Sequence, residues 1–223
     1  MSEAVPIGGY LPVSFIDWAG HVAPVLFLCG CNFRCPYCHN GDLVEMTSGR
    51  LDLEVILEDM KKRSVFLDGL VVSGGEPTIH EGLPGFLSSI KSETGLDIKL
   101  DTNGSRPDLL GALVGKSLVD AVSIDVKASW SDYPRIVRGY GRPVSESLEL
   151  LRSSGIPLEV RTTFVPDLMK IEDLIDIEKQ IGPDVRWVIQ LFRPGETLDP
   201  SLRNGSVPNI EELKKRFPGT ILK

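Results

Sequence analysis

Residues 70–77 read LVVSGGEP, a short apolar run that ends in two glycines and an acidic residue. A run of aliphatic and β-branched residues bounded by glycine and proline is typical of a buried strand followed by a loop. Similar arrangements recur along the chain and predict six strands. They cover residues 22–28, 70–73, 98–101, 119–125, 158–165 and 187–191.

Helix-like segments alternate with these strands. Apolar residues at helical spacing predict helices over 53–62, 83–90, 109–113, 145–151 and 171–181. We expect Asp52 to cap the first helix, Val55 to open its apolar stripe, and basic residues 61–63 to oppose the helix dipole at its end. Strands that alternate with helices predict an α/β fold on a parallel sheet, which carries its ligands at the carboxyl ends of the strands.

The composition is that of a folded chain. Of the 223 residues, 42% are hydrophobic and 25% are charged, and the net charge is -7. These values suit one sizeable core, and the negative charge disfavours nucleic acid as a partner. Residues 1–10 do not resemble a signal peptide, and the most apolar stretch, 22–31, is shorter than the roughly 20 residues that cross a bilayer. We therefore expect a cytoplasmic protein with reduced thiols and no membrane partner.

All four cysteines lie within ten residues, directly after the first predicted strand. A cluster of this kind in a reducing compartment predicts a metal site rather than disulfides. Cys31, Cys35 and Cys38 have the spacing C-x3-C-x2-C, and three thiolates leave one iron of an iron–sulfur cluster open. Adding Cys29 gives a four-thiolate zinc or iron site, although one intervening residue is an awkward spacing for a tetrahedral centre. We expect Cys29 to be a small buried side chain.

Polar residues also follow the next three predicted strands. The glycines of segment 74–76 (GGE) let a ligand approach the backbone, and its glutamate offers a carboxylate to a cation such as an amino group. Segment 101–104 (DTNG) suits a plain turn, which leaves Asp101 unexplained at the end of a buried run. Segment 125–127 (DVK) follows the fourth strand, with a structural ion pair as the alternative. Since the carboxyl ends of parallel strands share one edge, these segments predict a single site.

Residues 31–40 read CNFRCPYCHN. This string resembles the signature of the radical S-adenosylmethionine (SAM) superfamily, and in particular that of the enzymes that activate glycyl radical enzymes. These include the activators of pyruvate formate-lyase and of anaerobic ribonucleoside-triphosphate reductase, and residues 190–194 (QLFRP) favour the reductase activators. The resemblance implies a partial, open (β/α)6 TIM-like barrel in a single domain, 1–223, with a core over about 14–193 and a C-terminal tail over 194–223. We expect His39 to pack or hydrogen-bond beside the site.

The resemblance also implies the cofactors. A [4Fe–4S] cluster would bind to Cys31, Cys35 and Cys38, SAM to its open iron, and in some members a monovalent cation to strand-end carboxylates. Reduced flavodoxin or ferredoxin would supply the electron that cleaves SAM to a 5′-deoxyadenosyl radical, which would form a glycyl radical on a partner such as anaerobic ribonucleotide reductase. The residues expected at the cofactors are Tyr37, Gly74, Gly75, Glu76, Asp101, Asn103, Asp125, Lys127 and Arg161. No side chain is expected to act as a catalytic acid or base.

Two features qualify the resemblance. Residues 14–21 correspond to an Asp-Gly-Pro-Gly-x-Arg segment that borders the substrate peptide of many activators, but Trp18, Ala19 and His21 depart from it, which leaves Asp17 as the candidate for substrate contact. With no further cysteines, the chain resembles the compact activators that have no ferredoxin-like insert. Two alternatives stay open: a radical SAM enzyme that acts on a small molecule, as 7-carboxy-7-deazaguanine synthase does, and a non-catalytic iron–sulfur or zinc protein.

Overall fold

The computed structural model describes residues 5–223. The expectation about a signal peptide over residues 1–10 therefore falls in part, at residues 1–4, outside the described residues. The described residues form one eight-stranded sheet. The strands are β1 (Ile7–Ser14), β2 (Ala23–Leu28), β3 (Gly69–Gly74), β4 (Asp97–Thr102), β5 (Ala121–Asp125), β6 (Leu158–Phe164), β7 (Arg186–Leu191) and β8 (Ile221–Leu222). They lie in chain order, so β1 and β8 are the two edges. β1 is antiparallel to β2, and every other neighbouring pair is parallel.

Helices connect the parallel strands and cover one face of the sheet, here called the outer face. They are α1 (Gly41–Glu45), α2 (Leu53–Lys62), α3 (Leu83–Thr94), α4 (Pro107–Gly115), α5 (Tyr133–Val137), α6 (Gly141–Ser154), α7 (Ile171–Ile181) and α8 (Ile210–Arg216), with 3-10 turns at Pro77–Ile79 and Pro200–Asn204. Strand residues such as Leu26, Leu70 and Ile98 join the buried sides of the helices in one apolar core. The predicted α/β fold with an open, mostly parallel sheet is confirmed, and the bounds of the six predicted strands are right to within two residues.

The opposite, inner face of the sheet is divided in two. On β2 and β3, Ala23, Val25 and Val71 form a separate small apolar cluster with Trp18 and Phe27. On β4, β5 and β6 the same face carries polar and charged side chains, which are described below. Because side chains alternate between the two faces of a strand, this division is set by every second residue.

Helix α2 shows both a correct and an incorrect prediction. Asp52 caps it, since its carboxylate accepts a hydrogen bond from the backbone N–H of Glu54 at 2.9 Å. Val55, however, is 66% exposed, while Ile56 and Met60 are buried. The prediction that Val55 opens the apolar stripe is wrong because the buried residues recur at intervals of three and four, which leaves Val55 on the solvent side.

The sheet extends beyond the predicted core, residues 14–193, at both ends. β1 begins before that range, and β8 lies in the predicted tail, where Ile221 pairs with Val188 of β7. β1 escaped prediction because it contains two glycines and a proline and leaves Leu11 and Val13 partly exposed. Within residues 5–223, no helix is both long enough and apolar enough to cross a membrane.

Candidate active site

The cysteine segment forms a loop between β2 and α1. Gly30 adopts φ 81°, which ends β2 in the left-handed region that glycine favours, and its N–H donates to the carbonyl of Leu43 at 2.7 Å. Cys29 has no exposed surface, its thiol donates to the carbonyl of Ser48 at 3.6 Å, and a Cβ on Gly8 would lie 2.8 Å from its sulfur. Cys29 thus packs under β1, as expected of a small buried side chain.

The thiols of Cys31 and Cys35 lie in an environment that keeps them protonated when no metal is bound. Burial raises the pKa of both, that of Cys35 to about 12, although the backbone N–H of Phe33 points at the Cys31 sulfur at 3.4 Å. Thiolates are the form that binds iron, so metal binding must displace these protons. In the described part of the chain, no three His, Cys, Asp or Glu side chains are gathered as the ligands of a single metal ion. A cluster does not require such a group, because each of its cysteines binds a different iron.

The C-terminal segment holds the cysteine loop in place. The N–H of Leu198 donates to the carbonyl of Cys38 at 2.9 Å, and the N–H of Asp199 donates to that of Pro36 at 2.8 Å. The ring of His39 stacks on Phe192, with centroids 6.0 Å apart, and its Nδ1 lies 2.9 Å from the carbonyl oxygen of Glu196. His39 therefore packs and hydrogen-bonds as expected, whereas the contacts of the tail with the loop were not predicted.

Gly74 and Gly75 bring the end of β3 against the cysteine loop. A Cβ on Gly75 would lie 1.9 Å from the carbonyl oxygen of Gly30 and 3.3 Å from the Cβ of Cys31. Gly74 has φ 119°, and its Cβ would meet the backbone of β2. Any larger residue would push the two loops apart, so the glycines are required for their close approach.

Glu76 joins two of the strand-end loops. It has no exposed surface. Its Oε1 accepts hydrogen bonds from the hydroxyls of Thr78 at 2.5 Å and Thr102 at 2.7 Å, and its Oε2 accepts one from the N–H of Asn103 at 2.6 Å. Burial raises the pKa of Glu76, while these donors act in the opposite direction. Besides its predicted contact with an amino group, Glu76 thus ties the loop after β3 to the loop after β4.

Asn103 continues this chain of contacts to the cysteine loop. Its side-chain amide donates to the Oδ1 of Asn32 at 2.9 Å and lies 4.0 Å from the sulfur of Cys31, and its own Oδ1 accepts from the N–H of Ser105 at 2.9 Å. The predicted residues after β2, β3 and β4 therefore lie side by side at the end of the sheet where the parallel strands finish.

Five charged side chains form a continuous row on the inner face, here called the charged row. Its members are Lys99, Asp101, Arg161, Asp125 and Lys127. Lys99 Nζ lies 2.7 Å from Asp101 Oδ1, and Arg161 Nη1 lies 2.9 Å from Asp101 Oδ2. Arg161 Nε then lies 2.8 Å from Asp125 Oδ1, and Lys127 Nζ lies 3.0 Å from Asp125 Oδ2. Each of the four carboxylate oxygens therefore contacts a cationic group.

Ionisation within the row follows from these pairs. Burial alone would raise the pKa of Asp125, but Arg161 and Lys127 lower it to about 2. Burial alone would lower the pKa of Lys127, yet Asp125 and the nearby Cys35 thiol raise it well above its usual value. Arg161 is likewise held charged by Asp101 and Asp125. These three side chains carry their charges at neutral pH.

Tyr37 provides a test of whether the residues fit the cofactors. Its hydroxyl is buried and, among the described residues, has no hydrogen-bond partner, which is uncommon for a buried polar group. The donor set beside it consists of thiols, which suit iron–sulfur clusters. Glycines that leave room at the backbone and an unpaired hydroxyl suit an organic ligand next to the cluster. The residues therefore fit a [4Fe–4S] cluster with SAM.

Asp17 lies away from the cysteine loop, at the end of the sheet where the parallel strands begin. The ring of Trp18 lies against Gly69, where β3 begins, and a Cβ on Gly69 would be 2.6 Å from that ring. The Asp17 carboxylate accepts a hydrogen bond from the hydroxyl of Ser14 at 2.5 Å, and its backbone carbonyl accepts one from Lys99 Nζ at 2.7 Å. Lys99 is thus the link between Asp17 and the other predicted site residues.

Three contributors to the site were not predicted from the sequence. These are Lys99, Ser123 on the inner face, and the tail that contacts the cysteine loop. Lys99 could have been found from its spacing, because it lies two residues before Asp101 and therefore on the same face of β4. The hydroxyl of Ser73 donates to Asp101 Oδ2 at 3.3 Å.

The open parallel sheet, with a three-thiol loop after β2 and a glycine-rich loop after β3, defines the fold and site of a radical SAM protein. Residues 25–181 match the family model of the Radical SAM superfamily, and the chain belongs to this superfamily. A Methanocaldococcus jannaschii protein named as a glycyl-radical enzyme activating enzyme is 33% identical over 215 residues, which cover 94% of this chain and 89% of that protein.

Two further proteins extend the comparison. The pyruvate formate-lyase-activating enzyme of Streptococcus mutans is 30% identical over 170 residues, covering 70% of this chain and 65% of that enzyme. A solved radical SAM methyltransferase from Sphaerobacter thermophilus superposes with a TM-score of 0.71 at 12% identity, over 95% of this chain and 67% of that one. The latter is a likeness of fold alone.

Proposed function

We propose that this chain is a compact activating enzyme. It holds a [4Fe–4S] cluster on Cys31, Cys35 and Cys38, cleaves SAM, and installs a glycyl radical on a partner of the anaerobic ribonucleotide reductase kind in the reducing cytoplasm. The observation that carries the proposal is the contact between the three-thiol loop and Gly75, in a chain that matches a named activating enzyme along nearly its whole length.

When bound, the cluster and SAM would supply the chemistry, which is the one-electron reductive cleavage of SAM coupled to removal of a hydrogen atom from a glycine Cα. The chain itself binds and orients. The backbone at Gly74 and Gly75 accepts the methionine part of SAM, Lys127 pairs with its carboxylate, and the free hydroxyl of Tyr37 meets a polar group of the nucleoside. Asp101, Asn103, Asp125, Glu76 and Arg161 fix these groups through the contacts described above.

We propose that the electron donor is an acidic flavodoxin or ferredoxin that docks beside the cysteine loop. A cavity of about 650 Å³ opens next to Pro36, which follows Cys35. Its polar lining contains three arginines against two carboxylates. These are Arg34, Arg135, Arg138, Glu45 and Asp199. Arg135 is already paired with Asp132 at 3.3 Å. The arginines available to pair with an acidic carrier are therefore Arg34 and Arg138.

The surface near Asp17 supports a protein as the substrate. Phe15 and Ile16 are 71% and 80% exposed, and Val65 and Phe66 are 88% and 74% exposed. Arg63 donates to the carbonyl of Pro12, so the chain is joined shortly before each of the two exposed pairs. Exposed apolar groups of this kind are typical of contact surfaces between proteins. We propose that the partner enzyme docks here and that Asp17 contacts its backbone.

The proposal is tested by electron paramagnetic resonance. The protein is reconstituted anaerobically, reduced, and mixed with SAM and candidate glycyl radical enzymes, and we expect a glycyl radical doublet with one of them. Cys31→Ala should abolish both 5′-deoxyadenosine and the doublet. The matched control is Cys29→Ala, which removes a thiol that packs under β1 and should retain both products.

Other outcomes identify the rival functions. Production of 5′-deoxyadenosine without a doublet for any candidate partner would favour a small-molecule substrate. No 5′-deoxyadenosine from a reconstituted protein, together with zinc in a site that Cys31→Ala empties, would favour a structural metal protein. A Phe15→Ser/Phe66→Ser variant should keep SAM cleavage and lose the doublet if the exposed surface receives the partner.

A further inference from the structure

The expected monovalent cation does not fit the charged row. A cation on Asp101 and Asp125 would have to share its oxygen ligands with ammonium or guanidinium groups, because all four carboxylate oxygens already have a cationic neighbour within 3.0 Å. The row contains three positive and two negative side chains. A further positive ion would add to this excess in a site where the Asp101 side chain is only 8% exposed, and uncompensated charge is costly to bury.

Lys99 has the properties of a tethered replacement for the ion. Its side chain is 6% exposed, and its ammonium group contacts Asp101 Oδ1 at 2.7 Å. The same group donates to the backbone carbonyl of Asp17 at 2.7 Å, so it is held between a carboxylate and a carbonyl oxygen. These are the ligand types that bind hard cations in proteins. An ammonium group is a compact single positive charge that matches such a site without a free ion.

We propose that Lys99, with Arg161 and Lys127, takes the place of the monovalent cation, so that this chain binds SAM independently of Na⁺ and K⁺. The inference rests on the proposed function insofar as SAM is the ligand. Lys99 acts as a positioning residue: it neutralises Asp101, which in turn orients Arg161 through Oδ2 at 2.9 Å. Arg161 then contacts Asp125, and Asp125 contacts Lys127, the side chain proposed to meet SAM.

The test measures SAM affinity of the anaerobically reconstituted protein by equilibrium dialysis. KCl, NaCl and tetramethylammonium chloride are compared at one ionic strength, the last because its cation is too large for a carboxylate pocket. The wild-type affinity should agree within about twofold in all three salts. Lys99→Met, which keeps the length of the side chain and removes its charge, should bind SAM at least tenfold more weakly in tetramethylammonium chloride. KCl or NaCl should restore a large part of that loss.

A thermal unfolding series supplies a second readout that needs neither SAM nor the cluster. The Tm of apo Lys99→Met should rise with KCl relative to tetramethylammonium chloride, whereas the wild-type Tm should not. The matched control is Lys91→Met, which breaks a lysine–aspartate pair of 2.6 Å with Asp120 outside the charged row. It should lower the Tm equally in both salts. The variant Lys99→Arg keeps the charge and should stay independent of the cation.

Specific results would overturn the inference. A saturable gain of fivefold or more in wild-type SAM affinity on adding K⁺ or Na⁺ would show that the row accepts an ion. If the SAM affinity and the Tm of Lys99→Met are the same in all three salts, Lys99 only forms a structural ion pair with Asp101. Should Lys99→Met fail to fold, the wild-type series and Lys99→Arg still decide the question. Binding of SAM without a glycyl radical on any partner would contradict the proposed function alone, and absence of SAM binding would contradict both.

Discussion

The inner face of the sheet has two parts, here called walls, which lie on neighbouring parallel strands and differ in the chemistry of their side chains. The first, on β2 and β3, is apolar and includes Val25 and Val71. The second, on β4, β5 and β6, carries the charged row, with Asp101 and Arg161 at its centre. The outer face shows no such division, since both groups of strands present aliphatic residues to the helices.

This difference separates residues that the fold requires from residues that we propose serve a ligand. The helices demand an apolar outer face along every strand, so its composition says little about function. Nothing in the architecture demands charges on the inner face, and a buried ion pair is often no more stabilising than well-packed apolar residues. We therefore attribute the charged row to the SAM site that we propose, and not to the stability of the fold. Each prediction below tests whether the two walls behave as differently as their chemistry implies.

The largest effect is expected for Arg161→Met. The change removes two charge-assisted hydrogen bonds of the guanidinium, to Asp101 and to Asp125, while Lys99 and Lys127 still pair with the two carboxylates. At about 1.5–3 kcal/mol for each hydrogen bond, the loss of unfolding free energy should be about 3–5 kcal/mol. Urea unfolding measures it. The control is Arg142→Met, in α6, which breaks a pair with Glu146 in which the arginine is 90% exposed and the glutamate 48% exposed. That loss should stay below about 1 kcal/mol. Equal losses for the two variants would contradict the distinction.

The apolar wall is tested by Val71→Thr. The substitution keeps the shape of the side chain and buries a hydroxyl in the cluster of Ala23, Val25 and Phe27, so it should cost about 1–3 kcal/mol. Val65→Thr is the control, because Val65 is 88% exposed and its hydroxyl would be hydrated. That change should stay within about 0.5 kcal/mol of wild type. If Val71→Thr leaves the unfolding free energy unchanged, water reaches the apolar wall and hydrates the added hydroxyl.

The charged wall should also show a dependence on pH through Asp125. Its pKa in the folded protein is about 2, below the ordinary value of 3.8, so the unfolded chain binds the proton more tightly. The carboxylate therefore stabilises the fold above pH 3.8, by about 2 kcal/mol, and this is lost as the pH falls through 2. Asp125→Asn lacks the titration. Its deficit in unfolding free energy relative to wild type should shrink between pH 5 and pH 2.5, and a constant deficit would disprove the assignment.

Local patterns along the sequence predict much of this molecule. The six central strands are β-branched runs, and the residues that follow β2, β3 and β4 meet at one edge because parallel strands end together. β8 was missed because two residues hold no periodicity. The contact between His39 and the backbone of Glu196 joins residues that are 157 positions apart in the chain, and no local sequence pattern predicts it. Val55 was misplaced because an apolar residue next to a stripe is indistinguishable by composition from one within it.

The smallest effect is expected at two fully buried serines that differ in their hydrogen bonds. The hydroxyl of Ser147 donates to the carbonyl of Gly104 at 2.7 Å, whereas that of Ser123, on the charged wall, has no partner among the described residues. Ser147→Ala should cost about 1 kcal/mol, since it leaves a buried carbonyl without its donor. Ser123→Ala removes an unsatisfied group and should be neutral or stabilise the apoprotein by up to about 1 kcal/mol.

Ligand binding then decides what the unpaired hydroxyl is for. If Ser123 serves the ligand, Ser123→Ala should weaken binding of SAM or of the partner while leaving the apoprotein at least as stable, the opposite pattern to Ser147→Ala. If Ser123→Ala is less stable than wild type and its binding is unchanged, Ser123 has a role in packing alone. The ligand would then be served on this face by the five charged side chains only.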